Sequence, residues 1–260
     1  MAVTLDDYDA ALTAGDLPRL VALFKADAAR GTQPDARGDP LLHRALGFRR
    51  GLDRGGAITA LLAAGADPRI RNARGDTALH RAAYADCADC VAGLLKAGAD
   101  ANAPGNRGNR PLHDCDAPAL PLLLAAGADP MARNDAGRVP LHGNPNLDER
   151  LLAPGVNVVD ESGLTPLHVA AFEGDFARVD WLLAHGADAK RRSTAGYSNA
   201  GSFDPAEFAA PSPYDFPPGQ RAYDLARFRY EETKWSSGSK YLMVMERLDR
   251  LTPRRSLFRR

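Results

Sequence analysis

Gly163-Leu-Thr-Pro-Leu-His168 is the stretch of sequence that decides the fold, because close copies of it return along the chain. The copies are Gly75-Asp-Thr-Ala-Leu-His80, Gly108-Asn-Arg-Pro-Leu-His113 and Gly137-Arg-Val-Pro-Leu-His142. A second phrase, Leu-Leu-x-x-Gly-Ala-Asp, alternates with the first and ends at Asp67, Asp129 and Asp188. Two interleaved phrases at a period of about 33 residues indicate a repeat protein.

The sequence of one unit predicts two short helices joined by a turn. Thr165 is suited to cap the first helix, and Pro166 is preorganised for its first turn, where a missing N–H costs nothing. Residues 174–175, Gly-Asp, break that helix, and apolar residues at i, i+3 and i+4 mark a second one. Gly186 ends the second helix in a left-handed conformation that glycine adopts at little cost.

With these two phrases the chain resembles ankyrin-repeat proteins over essentially its whole length. The resemblance implies an all-α solenoid of about seven helix-turn-helix units with projecting loops. It also implies protein–protein recognition, with no catalytic residue, cofactor or metal to carry over. A single domain is expected, divided into a divergent N-terminal cap (1–36), five repeats (37–190), an aromatic and proline-rich insertion (191–219), a C-terminal capping repeat (220–251) and a basic tail (252–260).

Two repeats are shorter than the others, so one of their helices must lose about a turn. Pro118 and Pro121 in the fourth repeat, and residues 143–145 in the fifth, lie where the first helix would otherwise continue, and they are expected to stop it. In the C-terminal cap Asp224 takes the place of the repeated histidine. The last helix is expected to have Leu242, Met245 and Leu248 on one face.

Five of the six histidines occupy the same repeat position, which argues against catalysis because none has a nucleophile and an acid at a readable spacing. In ankyrin proteins this imidazole bridges backbone groups of neighbouring loops. The resemblance therefore implies a structural role for His43, His80, His113, His142 and His168.

The three cysteines predict neither a metal site nor a disulfide framework. The spacing of Cys87-x-x-Cys90, with Cys115 one repeat later, is compatible with a zinc site. Cys90 and Cys115, however, fall at small apolar positions of the predicted core, where a free cysteine behaves as a small hydrophobe. Cys87, in the turn between two helices, is the one thiol expected to be exposed.

Composition excludes several classes of protein. The chain has 33 basic and 33 acidic residues, so its formal net charge is zero. Nothing in this balance indicates nucleic acid or membrane as a partner. No leader-like or membrane-spanning run is visible, and three irregularly spaced cysteines suit a reducing compartment. We expect a monomeric cytoplasmic protein.

Basic residues recur in the predicted projecting loops. A single arginine there is usually a solvated charge, but aligned like charges over several repeats create a field that steers a partner. This column predicts a surface for an acidic protein partner, with Arg71, Arg74, Arg107, Arg133 and Arg191 as candidate contacts. Nucleic acid fits less well, because no aromatic residues interleave with these arginines.

The 191–219 insertion is the second candidate surface. It contains Tyr197, Phe203, Phe208, Tyr214 and Phe216, which is more aromatic residues than a flexible linker carries. Two interpretations stay open: the rings cover the end of the solenoid, or they bind a partner.

The sequence thus predicts a non-enzymatic module that binds a protein through its groove, loop tips and insertion. Its Ala, Arg, Gly and Asp content indicates a GC-rich bacterial genome, which adds two alternatives: an immunity or inhibitor protein that neutralises a toxin or enzyme, and a translocated effector. An enzyme with its site in residues 191–260 is the remaining alternative, and it would have to use carboxylates such as Asp204 and Glu207 without a histidine or cysteine beside them.

Overall fold

Short helices joined by tight turns make up the part of the chain that the computed structural model describes, which is residues 3–47, 53–85, 87–194, 219–233 and 238–251. In these residues there are twelve α-helices and no β-strand. The helices are α1 (Leu5–Ala14), α2 (Leu17–Ala26), α3 (Ala28–Thr32), α4 (Leu41–Gly47), α5 (Arg54–Ala63), α6 (Ala78–Tyr84), α7 (Ala88–Lys96), α8 (Ala119–Ala125), α9 (Pro166–Glu173), α10 (Phe176–Ala184), α11 (Ala222–Thr233) and α12 (Gly238–Leu251).

The chain divides into two compact units, Met1–Ala132 and Arg133–Arg260. In the first unit α4 packs on α6, while α2, α5, α7 and α8 pack in sequence as a second row. In the second unit α9 packs on α11, and α10 packs on α12. Each unit therefore has one layer of first helices and one layer of second helices, as stacked helix-turn-helix repeats require. The all-α repeat fold expected from the sequence is confirmed.

The ends of the helices are fixed by the residues that the repeat keeps. Thr165 precedes α9, and both its N–H (3.2 Å) and its hydroxyl (2.8 Å) lie within hydrogen-bonding distance of Nδ1 of His168. Asp175 precedes α10, and its carboxylate accepts the N–H of Arg178 at 3.0 Å. The contact from the N–H of Thr165 and the bond to Asp175 each satisfy an N–H that the start of a helix would otherwise leave unpaired.

The fourth and fifth repeats are short, as their sequences predict. Their first helices are reduced to the 3₁₀ turns Pro111–His113 and Pro140–His142. The role assigned to two prolines was wrong, because Pro118 is the residue before α8 and Pro121 is the third residue of that helix. Proline is tolerated there, since the first N–H groups of a helix have no intrahelical partner. These prolines begin the second helix instead of ending the first.

The buried face of α12 lies one residue away from the predicted one. Tyr241, Val244 and Leu248 are at most 2% exposed, whereas Leu242 is 40% exposed and Met245 is half-buried. Gly174, at the end of α9, explains this register: a Cβ there would lie 2.7 Å from Cε1 of Tyr241. The glycine lets the Tyr241 ring approach α9 closely, and that contact places Val244 and Leu248 on the inner side.

Candidate functional site

A polar groove of about 730 Å³ lies in the first unit, and we call it the α6 groove. Its walls are α6, the loops at 37–39 and 72–76 before α4 and α6, and residues 106–114 of the following repeat. Arg37, Arg74, Arg81, Tyr84 and Arg110 are among the side chains that line it. Because successive repeats place equivalent loops side by side, the groove combines residues far apart in the sequence.

The carboxylates of the groove are bound to neighbouring groups of the protein. Asp39 accepts hydrogen bonds from Nη1 of Arg81 at 2.5 Å and from Nδ2 of Asn72 at 3.0 Å. Burial raises the pKa of Asp39, but the hydrogen bonds from Asn72 and Arg81 outweigh it, so the pKa lies below its usual value. Asp39 is therefore ionised at neutral pH and balances the charge of Arg81.

The other two acidic residues of the groove also have internal partners. The carboxylate of Asp76 accepts the backbone N–H of Asn106 at 2.7 Å, which joins two consecutive loops. The carboxylate of Asp114 accepts a hydrogen bond from Nδ2 of Asn109 at 2.8 Å. Both donors are uncharged groups of the protein, so these bonds fix the positions of the two carboxylates in the groove.

Arg37 and Arg74 differ from these groups, since both are exposed and neither guanidinium has a hydrogen bond or ion pair among the described residues. They occupy the same position in consecutive loops, because residues 35–39 align with residues 72–76. Arg107 has this position in the third loop and is likewise exposed, although it does not line the groove. The groove therefore exposes two guanidinium groups, those of Arg37 and Arg74, that are not paired with an acidic group of the described residues.

Tyr84 adds an apolar surface with a polar tip. It is the last residue of α6 and is 76% exposed, the largest value among the exposed large apolar residues in the described part of the chain. Tyrosine and arginine are the residue types that most often dominate the energetics of protein interfaces. The sequence interpretation missed both Tyr84 and Arg37, although the alignment of Arg37 with Arg74 was a signal that could have identified it.

Two of the predicted contact arginines hold the loops together. Nη1 of Arg71 donates to the backbone oxygen of Gly75 at 2.7 Å and to that of Pro104 in the next repeat. Arg133 has the same repeat position, and its Nη1 donates to the oxygen of Val159 at 2.9 Å and to that of Gly137. Both are exposed, so their charge remains at the surface while their hydrogen bonds connect adjacent loops.

The remaining predicted partner contacts are Arg191 and the aromatic residues of the insertion. Arg191 is exposed in the second unit. The five aromatic residues of the insertion, Tyr197, Phe203, Phe208, Tyr214 and Phe216, lie outside the described residues. Their contact with a partner stays a prediction.

Four of the five repeated histidines have the bridging role that the resemblance implies. Nε2 of His43 lies 2.8 Å from the oxygen of Asp76, and Nε2 of His80 lies 3.1 Å from that of Asn109. In the second unit Nε2 of His142 and of His168 each lies 3.1 Å from a carbonyl, that of Leu164 and of Gln220. A carbonyl only accepts, so Nε2 carries the proton and Nδ1 is the acceptor.

Burial keeps these imidazoles neutral. It lowers the pKa of His142 to about 4, because the charged form would lose its hydration there, although the carbonyl of Leu164 acts in the opposite direction. Burial is also the main cause that lowers the pKa values of His43, His80 and His168. They are structural groups, since the hydroxyls beside His80 and His168, those of Thr77 and Thr165, are buried at helix starts.

The cysteines depart from the sequence interpretation. Cys87 and Cys90 form a disulfide, and Cys87 is only 9% exposed, so the expectation of an exposed thiol and of no disulfide was wrong. Cys115 is free and fully buried, as expected. The described residues include no group of three or more His, Cys, Asp and Glu side chains placed to hold a metal ion.

No helix in the described part of the chain is long and apolar enough to cross a membrane. Helix pairs in repeated stacks, with loops joined by histidine and arginine side chains, define the class as a helical-repeat protein with projecting loops.

Comparison with known proteins identifies the repeats. A family model of ankyrin repeats in three copies matches residues 42–134, and a model of a single ankyrin repeat matches residues 162–193. The ankyrin repeat domain of Bcl-3, described as a unique member of the IkappaB protein family, is similar in structure with a TM-score of 0.56 and 26% sequence identity. The similarity covers 72% of this chain and 89% of that chain. No curated protein matches in sequence. Residues 42–134 and 162–193 are therefore ankyrin repeats.

Proposed function

We propose that this chain is a non-enzymatic interaction module that binds an acidic segment of a protein partner in the α6 groove. Ankyrin repeats generally mediate protein–protein interaction, and the structural similarity to the Bcl-3 ankyrin domain supports the same class of function here. One observation carries the proposal. The carboxylates of the groove accept hydrogen bonds from other groups of the protein, whereas the guanidinium groups of Arg37 and Arg74 have no hydrogen bond or ion pair among the described residues.

The chemistry of the groove selects the partner. An extended peptide with carboxylates at two places would pair with Arg37 and Arg74, and guanidinium groups bind carboxylates with two parallel hydrogen bonds. Tyr84 lines the same groove and offers a rigid ring on which an apolar side chain of the peptide would pack. Arg107 at the rim adds positive charge, which increases the rate of encounter with an acidic chain.

Two further surfaces belong to the proposal as secondary contacts. In the second unit Arg133 and Arg191 are exposed basic residues, and the aromatic residues of the insertion remain candidate contacts from the sequence. The proposed cellular role is the one inferred from the sequence, a binding module in the cytoplasm. The alternatives are a protein that neutralises a toxin or enzyme, and a translocated effector.

Selection from a library of random peptides displayed on phage tests the proposal, because it samples many acidic and non-acidic sequences at once. We expect the native chain to enrich peptides rich in Asp and Glu with an apolar residue among them. A variant with Arg37→Glu and Arg74→Glu should retain none of these peptides. Tyr84→Ala should weaken the enriched peptides about thirtyfold, as loss of an interface hot spot of about 2 kcal/mol predicts.

The matched control carries Lys25→Glu and Lys96→Glu, because both lysines are exposed residues of the first unit that lie in the last turns of α2 and α7, away from the groove. It changes the net charge by the same amount as the groove variant. Peptides that bind the groove variant as well as the native chain, or that the control loses equally, would show that the α6 groove is not the binding surface.

A further inference from the structure

The start of α7 differs from the starts of three other second helices, α2, α5 and α10. Before α2, α5 and α10 stands an aspartate whose carboxylate accepts the N–H of the third helical residue, at 3.0, 2.9 and 3.0 Å for Asp16, Asp53 and Asp175. At α7 the corresponding residue is Cys87, and its side chain makes no such hydrogen bond. The third residue of α7 is Cys90, and the disulfide joins these two positions.

We propose that the Cys87–Cys90 pair is a site of reversible oxidation, at which a covalent bond replaces the aspartate cap seen at α2, α5 and α10. An aspartate links the residue before the helix to the N–H of its third residue, and so fixes the first turn. The disulfide links the side chains of the same two residues. Oxidised, the pair fixes this turn; reduced, it leaves two thiols, and a thiol is a weak hydrogen-bond acceptor.

The reaction partner is a thiol of the kind that buffers a reducing compartment. Its thiolate attacks Sγ of Cys87, which is the more exposed of the two residues at 9% against 0% for Cys90. The sulfur of Cys90 leaves as a thiolate that takes up a proton. A second external thiolate attacks the external sulfur of the mixed disulfide and releases Cys87, which is then protonated. The net change is two protein thiols gained and one external disulfide formed, a transfer of two electrons.

The consequence is a local change in stability. Cys90 lies on the buried face of α7 with Val91 and Leu94, so the first turn of this helix anchors part of the core. Without a cap the turn should open more often, because its N–H groups lack partners. The pair is reduced at rest in a thiol-rich compartment, and oxidation strengthens the third repeat. This inference concerns stability and does not depend on the proposed binding function.

Thermal unfolding of the full chain, after air oxidation and after reduction with dithiothreitol, tests the site. We expect the reduced chain to melt about 4 °C lower. A variant with Cys87→Asp and Cys90→Ala restores the aspartate cap, so it should melt near the oxidised chain with or without dithiothreitol. A variant with Cys87→Ala and Cys90→Ala has neither the disulfide nor an aspartate cap. Its melting temperature should be equal to or lower than that of the reduced native chain.

Local and chemical readouts complete the experiment. Amide hydrogen exchange in the first turn of α7 should speed up on reduction, whereas exchange in α10, which keeps its aspartate, should not change. Cys115→Ala is the control, because it removes the third cysteine and should preserve the difference. Equal melting temperatures in the two redox states, loss of the difference with Cys115→Ala, or free thiols at positions 87 and 90 in the oxidised chain would overturn the proposal.

Discussion

At the scale of the residue, the repeated histidine shows how one side chain connects two repeats. In His80 and His168, Nδ1 accepts from the threonine three residues earlier, and Nε2 donates to a carbonyl of the next repeat. His43 keeps the second bond, but the residue three positions earlier is Pro40, which has neither an N–H nor a hydroxyl. Nδ1 of His43 is buried and has no hydrogen-bond partner in the described structure.

This difference predicts that Pro40→Thr stabilises the protein. Threonine would supply the two donors that His80 receives from Thr77, and satisfying a buried acceptor outweighs the loss of the rigid proline by about 1 kcal/mol. Urea unfolding measures the change. The converse variant, Thr165→Val, removes the hydroxyl beside His168 and should destabilise by about 1 kcal/mol. A destabilising effect of Pro40→Thr would show that the orphaned nitrogen of His43 carries no cost.

The buried histidines also predict how stability depends on pH. Their pKa values are lowered in the folded chain, so between the folded and unfolded values the unfolded state binds more protons. Their contribution to stability is therefore complete above pH 6.5 and is lost as the pH falls toward about 4, the folded pKa of His142. For His142 alone the loss between pH 8 and pH 5 is about 2 kcal/mol.

Urea-unfolding midpoints at pH 8 and pH 5 check this expectation. His142→Gln should be less stable at pH 8 and should show a smaller decrease on acidification. His185→Gln serves as the control, because His185 lies outside the bridging position and is only partly buried. A native chain whose unfolding midpoint is constant over this range would contradict the assignment of neutral, buried imidazoles.

At the scale of the element, the sequence predicts where the helices begin and end better than which face they bury. Thr165, Asp175 and Gly186 mark their boundaries correctly, because capping depends on a few neighbouring residues. In α12 the sequence offers apolar residues at nearly every position from 241 to 245, so helical periodicity fits several faces equally well. The contact between Tyr241 and Gly174 decides among them, and that contact joins residues far apart in the chain.

The observed register of α12 leads to a direct test. Val244→Ala should destabilise the chain by about 2 kcal/mol, because it removes buried methyl groups from a fully buried position. Leu242→Ala is the matched variant on the same helix, and it should change the free energy of unfolding by less than about 0.5 kcal/mol because Leu242 is partly exposed. The opposite order of effects, measured by urea unfolding, would favour the register expected from the sequence.

At the scale of the whole molecule, the repeat pattern predicts the class of fold, whereas the α6 groove can be recognised only from the three-dimensional structure. The sequence shows that arginines recur in the loops, but it does not show that Arg71 and Arg133 bond to backbone carbonyls. Nor does it show that the guanidinium groups of Arg37 and Arg74 lack partners among the described residues, or that Tyr84 lines the same groove. These distinctions depend on which groups meet across repeats.

The central claim is that the α6 groove is the surface that binds a protein partner, and cross-linking from Tyr84 tests it most directly. Tyr84 would be replaced by the photoreactive residue p-benzoylphenylalanine, and the chain would be irradiated with an acidic peptide obtained from the phage selection. We predict an adduct that disappears when Arg37→Glu and Arg74→Glu are added and persists when Lys25→Glu and Lys96→Glu are added. An adduct that survives the groove substitutions, or no adduct with a peptide that still binds, would contradict the claim.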